Sequence, residues 1–203
     1  LDRWYGYGDI EAASNRVAHV LIAQGLRPGD RVALLAGNSE FYVSAYYGIL
    51  KAGGISVALN TAAKTDTLVY CLRHCGARVL MVGAGLERQV VSSLAERTVL
   101  QAILAEHPEH IADPPPHGRL VSVRDAMEAA STECPSTIGR IDLDVASIVY
   151  TSGSTGLPRG ATLSHLNLVS NTRSIVSYLG LSAQDRVLVV LPFYYVYGKI
   201  FSF

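Results

Sequence analysis

Charge of either sign is scarce in this chain. Its 203 residues carry 17 Lys and Arg against 17 Asp and Glu, a formal balance of zero. No basic run occurs, which excludes an electrostatic nucleic-acid surface. Long hydrophobic runs are missing as well. The hydrophobic content of 49% is ample for a core, yet no apolar stretch reaches the roughly 18 residues of a membrane span. Cysteine is rare: Cys71, Cys75 and Cys134 form an odd set with no C-x-x-C pair, which fits a reduced, cytoplasmic compartment. Cys71, His74 and Cys75 fall within about one helical turn, but no second cluster with zinc-like spacing follows. The cysteines read as buried small hydrophobes. A start methionine and a signal peptide are also lacking, since the chain opens Leu1-Asp2-Arg3-Trp4. It stops at Phe203 just after a loop signal. Both ends read as cuts, and the chain as a fragment of a longer one.

What is present is a regular alternation of elements. Residues 9 to 24 show apolar positions at helical spacing (Ile10, Ala13, Val17, Val20, Leu21), with Asp9 as a cap. Arg31 to Ala36 predicts a strand. Asn38 or Ser39 opens a helix to about Lys51, which Gly53-Gly54 breaks, and Ile55 to Leu59 is the next strand. Thr65 caps a helix through Cys75. Ala77 to Val82 predicts a strand, Leu86 to Glu96 a helix, and Val99 to Leu104 a further strand. His107 to Arg119 holds four prolines and three histidines and cannot form a regular element. His107, His110 and His117 there read as a solvated surface excursion. A short helix follows near Arg124 to Ala130, then a polar stretch from Ser131 to Ile141. Residues 106 to 143 are taken as a variable crossing. Beyond them, Ala161 to Leu163 is extended. Ser164 caps a helix to Leu179 with Leu168, Val169, Thr172, Ile175, Val176 and Leu179 on one face, Gly180 stops it, and Arg186 to Leu191 predicts a strand. The alternation implies βαβ units: an α/β fold with layered, mainly parallel sheets flanked by helices.

One stretch, Ser147 to Ala161, stands apart. The apolar run Ile148 to Tyr150 ends a buried strand and empties into ten residues with three glycines, four hydroxyls, a proline and an arginine. Gly153, Gly156 and Gly160 permit positive φ and close approach to a ligand. Thr151, Ser152, Ser154 and Thr155 supply hydroxyl donors, exposed amides add an anion-holding concavity, and Arg159 adds a planar cationic fork. The alternative, a flexible Gly/Ser surface loop, does not explain Pro-Arg-Gly directly after a buried strand. The residues indicate an anion, such as phosphate, on a strand-to-helix turn. Neither Walker A nor the dinucleotide fingerprint fits: Pro158 stands where the first needs glycine, and Thr155 where the second does.

Tyr150 to Gly160 resembles the phosphate loop of the AMP-forming adenylating enzymes, which include acyl-CoA synthetases, luciferases and peptide-synthetase adenylation domains. Their signature is [YF]-T-S-G-[ST]-T-G-x-P-K-G. This chain departs from it at Arg159, where the family usually has Lys. The segment from Tyr5 to Ala33 resembles the family's opening helix and first strand. Leu50 to Asn60 resembles its L-K-A-G-x-x-x-V-P-L-N block, with Ala58 in place of proline. Leu191 to Gly198 is similar to the L-P-x-F-H-x-Y-G block of acyl-CoA synthetases, with Tyr195 in place of histidine.

The resemblance implies that residues 1–203 are a truncated part of the large AMP-binding domain, without the small C-terminal domain. It implies that a carboxylate, read as a fatty acid, attacks the α-phosphorus of ATP, and that a thiol then displaces AMP. That thiol is CoA or, in the alternative, a carrier-protein thiol. A non-catalytic nucleotide-binding module is the third possibility. The loop residues Thr151, Ser152, Gly153, Ser154, Thr155, Gly156, Arg159 and Gly160 would hold the ATP phosphates, and Thr151 would also reach Mg²⁺. Tyr194 and Tyr195 would border the substrate pocket, unless the aromatics of this loop are core residues. The Y-G-x-T-E block, the ribose-binding aspartate and the catalytic lysine are not found in these residues. The fragment alone is therefore expected to be inactive.

Overall fold

The computed structural model describes residues 3–90, 94, 97–112, 118–136, 139–151 and 156–195. Helices α1 (Tyr7–Ala23), α2 (Glu40–Lys51) and α3 (Thr65–Cys75) alternate with strands β1 (Arg31–Leu35), β2 (Ile55–Ala58) and β3 (Val79–Val82). Then come β4 (Ala102–Ala105), β5 (Arg119–Ser122), α4 (Val123–Glu128), β6 (Val145–Thr151), β7 (Arg159–Ser164) and α5 (His165–Leu179). The seven strands form one sheet in the order β5-β4-β3-β1-β2-β6-β7. All neighbours run parallel except the last pair, β6 and β7. This is the mainly parallel α/β architecture that the alternation predicts.

Both faces of the sheet are covered, so β3 and β4 are buried at every position instead of every second one. Along β1, Val32 and Leu34 pack with α1 and α2, while Ala33 and Leu35 pack with α3. β3 divides in the same way, with Val79 and Met81 on one face and Leu80 and Val82 on the other. Helices α1 and α2 approach closely at Gly48, where a Cβ would stand 2.5 Å from Val17 Cγ1. Lys51 ties the same pair together, its Nζ reaching Ser14 Oγ and Asn15 Oδ1, both at 2.7 Å, and Glu11 Oε2 at 2.8 Å.

Several local expectations need correction. Asp9 does not cap α1 from outside. It sits in the first turn, and its Oδ2 accepts from the Gly6 amide at 2.8 Å. Ser39 is the cap of α2 and accepts from the Tyr42 amide at 3.2 Å. Thr65 is the first helical residue of α3, because Lys64 holds the cap position. The expected helix from Leu86 starts as a 3₁₀ turn, Glu87–Gln89, whose bonds run to the third residue back. Val90 is extended and buried, which interrupts the winding. Leu94 is helical, and 91–93 and 95–96 lie outside the described residues. The described ends of the proline-rich stretch adopt regular structure, and 113–117 lie outside the described residues. Pro108 opens a 3₁₀ turn, where its missing N–H costs nothing, and Arg119 starts β5, which pairs with β4. That turn stacks the rings of His107 and His110 at 5.1 Å, with His107 Nδ1 3.1 Å from Glu109 Oε1. His117 lies outside the described residues.

The strand expected over Arg186–Leu191 does not form. Val187, Leu188 and Val190 are exposed, and no strand among the described residues offers this segment a ladder. Of the cysteines, Cys71 is buried as expected, Cys75 is half-buried and Cys134 is exposed; all three are free thiols. Among the described residues no helix is long and apolar enough to cross a membrane.

Candidate functional site

Strands β1, β2 and β6 run parallel and in register, with Leu34 beside Ala58 and Ala58 beside Val149. Chain leaving these strands therefore emerges at one edge of the sheet. Asn38 follows β1 there, Thr61 follows β2, and Thr151 closes β6. The carboxyl edge of a parallel sheet is where such folds collect ligands.

Strand β6 turns back into β7 instead of entering a helix, so the expected strand-to-helix turn is a hairpin. Its antiparallel register runs from Ser147–Leu163 to Thr151–Arg159. The first helical residue after the loop is His165, six residues beyond Arg159. Helix α5 therefore starts at the far end of β7 and not directly after the loop. Ser152, Gly153, Ser154 and Thr155 lie outside the described residues. Gly156 has φ +88° and open space at its Cβ position, as expected of a turn glycine. Gly160 has a different duty. It is extended within β7, and a Cβ there would stand 3.0 Å from Ile148 Cγ2 and 3.5 Å from Tyr150 Cε1. It makes room for the Tyr150 ring and has no positive φ to supply.

Register places the two key polar groups together. Thr151 and Arg159 are direct cross-strand partners, so their side chains share one face with Cβ atoms roughly 5 Å apart. Both are exposed. Among the described residues neither side chain makes a hydrogen bond or ion pair. A hydroxyl and a guanidinium side by side can hold an anion, and an unengaged threonine oxygen suits a hard cation such as Mg²⁺.

Behind this pair the hairpin root is anchored through Tyr150. Its hydroxyl donates to the Cys71 carbonyl at 3.0 Å and lies 2.9 Å from His74 Nδ1. With its proton given to Cys71, the oxygen accepts from His74. His74 in turn stacks on Tyr70 at 5.4 Å. Burial, with Cys75 and Cys71 beside it, pushes the Tyr150 phenol up. Burial also pushes the Cys71 thiol up to about 12. These groups stay neutral and structural near neutral pH.

The second predicted element, the aromatic turn, sits at the same edge. Phe193 is buried in the core with α1 and α2, so for it the core alternative holds. Tyr194 is half-buried, and its hydroxyl interacts with the side chains of Tyr195 and Thr61. Tyr195 is exposed, with its ring 4.6 Å from that of Tyr194. Two residues not singled out for this role hold the turn: Asn38, bonded to Leu191 and Phe193, and Tyr42, bonded to Phe193. A groove of about 640 Å³ runs beside it, between Tyr5, Ile10, Val43 and Val189.

A model of the AMP-binding enzyme family matches residues 1–203. The chain is 32% identical over 198 residues to long-chain fatty acid transport protein 6 of Homo sapiens, covering 94% of this chain and 30% of that protein. It is 32% identical over 196 residues to the long-chain-fatty-acid–CoA ligase FadD13 of Mycobacterium tuberculosis, covering 94% of this chain and 35% of the ligase. The solved structure of ATP-bound MatB from Rhodopseudomonas palustris superposes with a TM-score of 0.80 at 32% identity, covering 96% of this chain and 36% of that one. The chain thus spans about a third of the length of these relatives.

Proposed function

Because the chain belongs to the AMP-binding enzyme family, we propose that it forms part of the large domain of an AMP-forming acyl-CoA synthetase. Residues 106–143 form a variable crossing within that domain. In this reading a carboxylic acid, of the fatty class, attacks the α-phosphorus of ATP. The thiol of CoA then attacks the acyl carbon of the adenylate, forming the thioester and releasing AMP, with a carrier-protein thiol as the alternative acceptor. The free thiols Cys71, Cys75 and Cys134 agree with a cytoplasmic location.

The observation that carries this reading is the Thr151–Arg159 pair at the carboxyl edge, with the Tyr194–Tyr195 turn at the same edge. Arg159 offsets the negative charge that grows on the departing pyrophosphate. The hydroxyls Thr151, Ser152, Ser154 and Thr155, and the backbone at Gly153, Gly156 and Gly160, supply donors around the same phosphates. Thr151 would hold Mg²⁺, which when bound neutralises phosphate charge. Tyr194 and Tyr195 line the acid side. The names of the similar proteins agree with this division, since one is a fatty-acid–CoA ligase and another was solved with ATP.

The test is acid-dependent ATP–pyrophosphate exchange by the longer protein that contains this chain, across carboxylic acids of increasing chain length. Exchange with at least one acid class is expected, and none is expected from residues 1–203 alone. Failure of the longer protein with every acid would overturn the assignment. Exchange by residues 1–203 would overturn the division of labour.

A further inference from the structure

Residues 186–191 gain no sheet partner among the described residues, yet the aromatic turn that follows has a defined place. Its backbone is held by side chains from the start of α2. Asn38 Nδ2 donates to the Leu191 carbonyl at 2.9 Å, and Asn38 Oδ1 accepts from the Phe193 amide at 2.8 Å. One amide group thus brackets Pro192, whose own nitrogen has no proton to give and whose φ is fixed. The Tyr42 hydroxyl donates to the Phe193 carbonyl at 3.0 Å, and the two rings lie 5.3 Å apart. Both backbone polar groups of Phe193 are therefore met by side chains some 150 positions earlier. The Tyr195 amide closes the turn on the Pro192 carbonyl at 3.1 Å.

We infer that Asn38 and Tyr42 are positioning residues for the acid substrate: they fix the aromatic turn Pro192–Tyr195, and so set affinity for the carboxylic acid but not for the nucleotide. The acid-side consequence rests on the function proposed above; the clamp itself does not. Three features favour a dedicated role. Ser39 already caps α2, so Asn38 is not spent on capping. Asn38 is exposed, so it contributes geometry and little apolar burial. Its bonding also demands one donor and one acceptor in a planar arrangement. Asparagine has that pair at this reach. Aspartate would instead set an oxygen against the Leu191 carbonyl.

Two measurements decide the matter. The first needs no substrate: amide hydrogen exchange at Phe193 in the full chain. Asn38→Ala is expected to speed it by about tenfold, the scale of one lost hydrogen bond, with the β1–β3 amides unchanged. An unchanged Phe193 amide would overturn the clamp. The second is steady-state kinetics of the longer protein. Asn38→Ala is expected to raise KM for the acid about tenfold while KM for ATP stays within about twofold. Asn38→Asp should move the same way, and Tyr42→Phe, which keeps the ring in the core, should do so less strongly. Equal changes in both KM values, or an unchanged acid KM beside faster Phe193 exchange, would overturn the positioning role. If the wild type shows no acid-dependent reaction, the functional assignment and the acid-side role fall together, and the amide measurement still decides whether the clamp exists.

Discussion

Helices α2 and α5 both begin on a serine cap and both carry an apolar stripe. In α2 seven residues are buried, including Tyr42, Ala45 and Ile49. In α5 only Ile175 is. Leu166, Val169, Val176 and Leu179 of α5 remain exposed, as do Val187, Leu188 and Val190 after it. The difference lies in the neighbours. α2 is wedged between α1 and a sheet whose strands are paired on both sides. α5 follows β7, the antiparallel edge strand. A stripe states what a helix can bury, and the surrounding elements decide whether it does.

The sharpest contrast should come from truncating one residue on each helix. Ile49→Ala, at a fully buried position, is expected to cost about 2–5 kcal/mol of unfolding free energy. Val176→Ala, on the exposed face of α5, should stay within about 0.5 kcal/mol. Denaturant midpoints of residues 1–203 check both, and similar costs would void the comparison. Next in size is Gly48→Ala. Alanine is the better helix former, but its Cβ would meet Val17 Cγ1 at 2.5 Å. A loss of about 1–3 kcal/mol is expected, and a gain in melting temperature would show that α1 and α2 are less closely packed. Caps act locally, so the two helices should agree there. Ser39→Ala and Ser164→Ala each remove an accepted amide bond and should each cost about 1 kcal/mol.

The smallest effect is on pH. Burial, then Cys75, raise Cys71 from 9.0 to about 12, and burial raises Cys75 and the tyrosines Tyr42, Tyr46 and Tyr150. Between pH 9 and 12 the folded chain keeps a proton on Cys71 that the unfolded chain has lost. Stability is thus intact below pH 9 and declines as pH rises through that window. The tyrosines join above 10.0, their ordinary value. Unfolding midpoints at pH 8 and 10 should differ, and Cys71→Ser should flatten the slope between them; a slope unchanged in that variant would remove Cys71 from the explanation.

Much of the molecule was legible in the sequence because the signals were local. Strand β1 and helix α2 follow from periodicity and turn chemistry, as does the Ser164 cap of α5. Tyr150 to Gly160 was recognisable from residue order alone. The errors came where pairing decides. Arg159 and Gly160 became strand by pairing with β6, and Arg186–Leu191 did not because it pairs with no strand among the described residues. Asn38 was noticed only as a possible cap. Nothing local says that a polar residue between a buried strand and a helix will bind a loop some 150 positions away. Its place at the carboxyl edge, beside a second polar residue already able to cap, is the signal that could have raised the question.

The proposed phosphate grip depends most on Arg159 and its place beside Thr151. The direct measurement is ATP–pyrophosphate exchange by the longer protein carrying Arg159→Ala, with Arg159→Lys as the charge-keeping control. The alanine variant is predicted to lose about 10²–10³ in rate, the range for one transition-state donor, and the lysine variant to retain most of it. Exchange at the wild-type rate in Arg159→Ala would contradict the claim that this hairpin grips the phosphates.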